Sequence, residues 1–116
     1  MSNRIDLSGS MASYVIKNFT FINPANKLKV IFDINRPFGT SVDVYYRNGA
    51  DDIYTIMPIT RGGNNTSKFT DFIEDEYDTI NTIPNFTNVQ VKVVFKSDSV
   101  VYVPRIKNFR VISLME

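Results

Sequence analysis

Residues 27–34, with the sequence KLKVIFDI, decide the fold. Successive side chains of a β-strand point to opposite faces, so a period of two places every second residue on the same side. In this stretch Leu28, Val30, Phe32 and Ile34 share one face, and charged residues occupy most of the other. Residues 89–96, VQVKVVFK, show the same alternation. Both stretches therefore predict β-strands with one buried face.

Further strand-like segments extend outward from these two. Clusters of Asn, Pro and Gly separate them at intervals typical of turns, as in 23–26, 36–40 and 48–49. Regular turns of this kind predict an all-β domain, an antiparallel β-sandwich of jelly-roll-like type with about seven to eight strands. The additional predicted strands cover residues 14–22, 40–47, 53–59, 100–103 and 106–114.

The least regular part of the chain is residues 68–88, where acidic and aromatic residues mix without a clear period. A single helical turn is predicted over 72–77 and a connecting loop over 79–88. The core is predicted from the alternating strands, with Lys29, Asp43 and Lys92 pointing outward. Its expected members are Leu28, Val30, Phe32, Val42, Val44, Val91, Val93, Phe95, Phe109 and Val111.

The first residues of the chain differ in composition from the rest. Residues 1–12 are rich in Ser, Asn and other polar residues, which predicts a flexible N-terminal arm before a sandwich domain at 13–116. Such an arm can become ordered against a partner protein. Its expected partner contacts are Arg4, Ile5, Asp6 and Leu7.

Composition excludes several classes of function. The 116 residues include no Cys and no His, so the commonest metal ligands and the usual neutral-pH acid–base group are missing. The formal charge of +1 lacks the basic excess of a nucleic-acid binder. No apolar run is long enough to span a bilayer, and the polar start lacks a secretory signal. We expect a protein made in the cytoplasm, with no cofactor, no metal, and no nucleic-acid or membrane partner.

Three segments offer weak signals for chemistry. Asp51 and Asp52 beside a turn could contribute oxygen ligands to Ca²⁺, but no spaced set of further carboxylates follows. The acidic run 71–78 could supply the paired carboxylates of a glycosidase, although a solvated or docking face is the favoured interpretation. The RGG sequence at 61–63 lacks the Lys-Ser/Thr pair of a phosphate-binding loop. We therefore expect no catalytic residue and no enzymatic activity.

Tyrosines are the remaining candidates for binding. Tyr45, Tyr54 and Tyr102 lie on or beside predicted strands, where their rings could contact a protein partner or stack on a sugar. The sequence leaves both interpretations open.

Three segments read together resemble a known module. They are YVIKNFTF…LKVIFDINRPFGT within 14–40, VDVYYR at 42–47, and VQVKVVFK…VPRIKNFRVI within 89–112. They are similar to a β-sandwich found in structural proteins of tailed bacteriophages with contractile tails. The resemblance departs between 48 and 88. It implies a non-enzymatic baseplate or tail-fibre component, located in the virion and assembled in symmetric copies with other virion proteins. The alternative is a carbohydrate-binding module that recognises a host surface glycan.

Overall fold

A computed structural model describes residues 11–37, 39–49, 53–62, 72–97 and 104–116. These residues form two four-stranded antiparallel sheets, with strand orders β1-β7-β3-β4 (sheet A) and β5-β6-β2-β8 (sheet B). The predicted all-β sandwich is confirmed. The strands are β1 (Met11–Ala25), β2 (Lys27–Asn35), β3 (Thr40–Asn48), β4 (Thr55–Ile56), β5 (Ile59–Arg61), β6 (Ile73–Asp78), β7 (Phe86–Ser97) and β8 (Arg105–Leu114).

The core lies between the sheets and is built by the two stretches that decide the fold. Apolar residues of β2 are fully buried on the inner face of sheet B, and the valines of β7 face them from sheet A. The ring of Phe19 on β1 stacks against the ring of Phe109 on β8, with the two centroids 6.2 Å apart. Eight of the ten expected core residues are buried, and Phe109 and Val111 are half-buried against the core. The eight are Leu28, Val30, Phe32, Val42, Val44, Val91, Val93 and Phe95.

The helical turn predicted over 72–77 is wrong, because residues 73–77 belong to strand β6. β6 pairs with β2 in antiparallel register, with Phe32 opposite Asp75 and Val30 opposite Tyr77. The expected loop 79–88 is shorter than predicted, since β7 begins at Phe86. The backbone of β6 is hydrogen-bonded to β2, and an irregular sequence of acidic and aromatic residues does not reveal this pairing.

The single strand predicted over 53–59 is divided into two. Thr55 and Ile56 form β4 in sheet A, and Ile59 begins β5 in sheet B. Pro58 lies at the crossing, where a residue without an N–H cannot continue a ladder. The chain therefore passes from one sheet to the other within a few residues.

The structure also bears on the predicted first strand and on the predicted turn at 36–40. β1 begins at Met11, three residues before the predicted strand at 14–22, so residues 11 and 12 of the predicted arm belong to the sheet. It continues through the predicted turn to Ala25 with a break in register after Thr20. Gly39 has a φ of 83°, as the predicted turn requires. The strand predicted at 100–103 lies outside the described residues.

Candidate interaction surface

A cleft opens at the side of the sandwich where β4 and β5 lie. It has a volume of about 450 Å³ and reaches the inner faces of β3 and β6. Its wall includes Val42, Val44, Met57, Tyr77 and Arg36. A volume of this size is in the range of ligand pockets, and it also accommodates a large side chain of another protein.

The rim of the cleft is held by hydrogen bonds to both sheets. The N–H of Met57 donates to the carbonyl of Val44 in sheet A at 2.8 Å, and the N–H of Asp78 in sheet B donates to the carbonyl of Pro58 at 3.1 Å. The Met57 side chain is 2 % exposed and fills the space below the crossing. These two hydrogen bonds connect the rim segment to both sheets.

Three isoleucines project from the rim segment into solvent. Ile53, Ile56 and Ile59 are 78, 54 and 39 % exposed. The eight residues from 53 to 60 contain no charged side chain. Single exposed apolar residues are ordinary, but a group beside an apolar cleft is characteristic of an interaction site. We call Ile53, Ile56 and Ile59 the isoleucine rim.

Behind the cleft lies a buried polar cluster. The guanidinium of Arg36 forms an ion pair with the carboxylate of Asp75, and the hydroxyl of Tyr77 donates to the same carboxylate at 3.1 Å. Burial raises the pKa of the Tyr77 hydroxyl, and the negative charge of Asp75 raises it further. The tyrosine therefore stays a hydrogen-bond donor. The cluster ties the end of β2 to β6 and stabilises one wall of the cleft.

The outer face of sheet B is covered by paired charges. Glu74 accepts from both Arg61 and Arg110, and the amine of Lys29 lies 3.9 Å from carboxylate oxygens of Glu76 and Asp78. Acids of β6 thus alternate with cations of the neighbouring strands. This face is well suited to water, because each of these charges has a counter-charge.

The outer face of sheet A is different. Tyr14, Tyr54 and Lys92 lie together there, with the ammonium of Lys92 5.1 Å from the centroid of each ring. Tyr45 is opposite Lys92 in the register, and Ile56 of the rim is opposite Tyr45. Ile56 of the isoleucine rim and these tyrosines therefore lie side by side on the outer face of sheet A.

Two of the predicted partner residues, Tyr45 and Tyr54, lie half-buried on this surface. Tyr102 and the arm residues Arg4, Ile5, Asp6 and Leu7 lie outside the described residues, as do Asp51 and Asp52. The interpretation of the acidic run as a solvated face is wrong for Asp75, which is fully buried. Reading Ile73, Asp75 and Tyr77 with a period of two places them on one face, and this signal was present in the sequence.

The described residues contain no group of His, Cys, Asp and Glu that could hold a metal ion. They also include no helix long and apolar enough to cross a membrane.

The geometry defines a class of molecule, a two-sheet antiparallel β-sandwich with a preformed apolar cleft at one edge. Comparisons with known proteins add no family to this description: no family model matches, and no curated protein or solved structure matches significantly.

Proposed function

We propose that the protein is a non-enzymatic structural subunit of a tailed-phage virion, in the tail or baseplate, and that it acts through protein–protein contacts. The observation that carries this proposal is the isoleucine rim beside the rigid cleft. Exposed apolar side chains around a pocket are the arrangement expected at the centre of a protein interface. A neighbouring subunit would insert an apolar side chain into the cleft and cover the rim.

The virion setting rests on the resemblance of the sequence to phage structural modules. The segments that carry it form β1, β2, β3, β7 and β8. The isoleucine rim lies between residues 48 and 88, where the resemblance departs. This supports a common sandwich framework that presents a docking surface particular to this chain.

A carbohydrate-binding module is the alternative, and the tyrosines provide a way to compare the two. Sugar recognition by aromatic residues needs an open ring face on which the sugar can stack. Tyr54 has the guanidinium of Arg47 and the ammonium of Lys92 both within 5.1 Å of its ring centroid. Because cations already lie against this ring, Tyr54 is less available for stacking on a sugar, which supports a protein partner.

The proposal is tested by replacing Ile56 and Ile59 with serine in the phage genome. Both side chains are exposed, so the sandwich should keep its thermal stability, while the amount of the protein in purified virions should fall. Ile22, which is 98 % exposed and lies on β1, provides a matched control. The Ile22→Ser protein should be incorporated normally.

Two results would contradict the proposal in different ways. If the wild-type protein is absent from purified virions, the virion assignment is wrong. If the Ile56→Ser/Ile59→Ser protein is incorporated as well as the Ile22→Ser control, the isoleucine rim is not the docking surface.

A further inference from the structure

Cations and tyrosines alternate in a row across the outer face of sheet A. The row consists of Arg47 on β3, Tyr54, Lys92 on β7 and Tyr14 on β1, and it is called here the cation–tyrosine row. Each cation lies 5.1 Å from the centroid of the ring beside it. The hydroxyl of Tyr54 donates to Gln90 at 2.7 Å and fixes the ring between the two cations.

The positive charges of this row lack carboxylate partners within the described part of the chain. None of its acids lies within 4 Å of the charged nitrogens of Lys92 or Arg47. The Nε of Arg47 is buried and has no hydrogen-bond partner. Asp43, the one acid that the described residues place on this face, binds the amine of Lys96 at 2.7 Å.

On sheet B, Arg105 and Lys107 of β8 also lie over an aromatic ring, that of Phe72, but the cations around β6 have acidic partners. On sheet B the cations Lys29, Arg61 and Arg110 all have carboxylates within ion-pair distance. Among the described residues, Lys92 and Arg47 have no carboxylate within ion-pair distance, and cations in this situation create a positive potential that favours a negatively charged partner. Charge complementarity therefore predicts that the binding partner carries a negative charge.

The residues around the row indicate whether this negatively charged partner is a nucleic acid or a protein. A single-stranded nucleic acid binds by stacking bases on aromatic rings, but the Tyr54 ring is already flanked by two cations. Next to the row lie Ile16 and Tyr45, and the isoleucine rim continues the surface at Ile56. Tyrosine, arginine and exposed aliphatic side chains together are typical of the centre of a protein interface.

We propose that the cation–tyrosine row binds the carboxylates of an acidic, partly apolar segment of a protein partner, with Lys92 and Arg47 as the charged contacts. This rests on the proposed function, since it names the chemistry of the subunit that docks here. The rings hold the two cations in place, so less side-chain entropy is lost when a carboxylate binds. Specificity comes from the pairing of these charges beside an apolar surface.

The experiment uses the isotopically labelled full-length protein and a short peptide that alternates glutamate with valine, followed by nuclear magnetic resonance. Saturable shifts should appear for the outward-facing residues of β1, β3 and β7 and should weaken with added salt. An analogue with glutamine in place of glutamate should bind about tenfold more weakly or worse.

Paired variants distinguish a specific site from general attraction. Lys92→Gln with Arg47→Gln keeps the apolar stems but removes both charges, and it should lower the affinity for the acidic peptide by about tenfold or more. Lys29→Gln with Arg110→Gln changes the net charge equally on the outer face of sheet B and should leave the affinity nearly unchanged.

Several outcomes would overturn the inference. If the peptide causes no saturable shift on sheet A, or if both pairs of variants weaken binding equally, the row is not the site. Tighter binding of polygalacturonate or oligothymidylate than of the peptide would show that the partner is not a protein. If these tests fail while the Ile56→Ser/Ile59→Ser protein is still lost from virions, the proposed function stands without this inference.

Discussion

Replacing Asp75 with leucine removes the carboxylate that neutralises Arg36 inside the sandwich. The side chains of Arg36 and Asp75 are 6 and 0 % exposed, so water cannot take the place of the lost charge without a rearrangement. Removing one member of a buried ion pair costs about 3–5 kcal/mol, because the other charge remains buried. The hydroxyl of Tyr77 also loses its acceptor. For a domain of this size the melting temperature should fall by about 12–20 °C.

The double variant Arg36→Met/Asp75→Leu tests whether charge, and not shape, causes this loss. It replaces both ionic groups with apolar side chains, a change that is often neutral or stabilising. The Tyr77 hydroxyl still lacks its acceptor, so the stability should be within about 2 kcal/mol of the wild type. Urea unfolding followed by circular dichroism gives the free energies for the wild type, both single variants and the double variant. Each single variant should lose about 4 kcal/mol and the double variant no more than about 2 kcal/mol, so the expected coupling energy is about 6 kcal/mol. A single variant that loses less than about 1 kcal/mol, or a double variant as unstable as the single ones, would refute this reasoning.

Three further changes give independent checks. Gly62 has a φ of 86°, and a Cβ at this position would collide with the Asp75 carboxylate. Gly62→Ala should therefore lower the free energy of unfolding in urea by about 2 kcal/mol or more. An unchanged unfolding midpoint would contradict this. Because the folded pKa of Tyr77 is raised, stability is fully present below the unfolded pKa of about 10 and falls as pH rises above it. Tyr77→Phe should flatten this alkaline decline, and equal declines would show that another group causes it. Deleting residues 1–10 stops before β1 and should leave the melting temperature nearly unchanged, whereas virion incorporation should drop if the arm contacts a partner.

The sequence was sufficient to predict the sandwich because its central strands carry strong alternation. In β2 and β7 every second residue is apolar, and the structure buries those residues between the sheets. β6 has the same period, but its inner face contains Asp75 between Ile73 and Tyr77. A buried acid breaks the apolar pattern, and its partner Arg36 is distant in sequence. Only the tertiary fold shows that the two charges neutralise each other.

The cleft could not be predicted for a related reason. Its rim depends on the crossing at Met57 and Pro58, where the chain leaves sheet A and enters sheet B. Tyr45 and Tyr54 were identified from residue type, but their arrangement around Lys92 depends on the pairing of β3 with β7. Strand order and register bring these residues together, and local periodicity specifies neither.

The electrostatic character of the surface also depends on topology and not on composition. A formal charge of +1 suggests a chain with no strong preference for charged partners. However, the outward positions of β6 are Glu74, Glu76 and Asp78, whereas those of β7 include Lys92 and Lys96. Because β6 and β7 belong to different sheets, their charges lie on opposite faces of the sandwich. The acids meet cations of β5, β2 and β8, but Lys92 lies beside tyrosines and Ile16 with no acid within ion-pair distance among the described residues. A nearly neutral chain can therefore place most of its described ion pairs on one face and leave Lys92 and Arg47 on the other without an acid within ion-pair distance among the described residues.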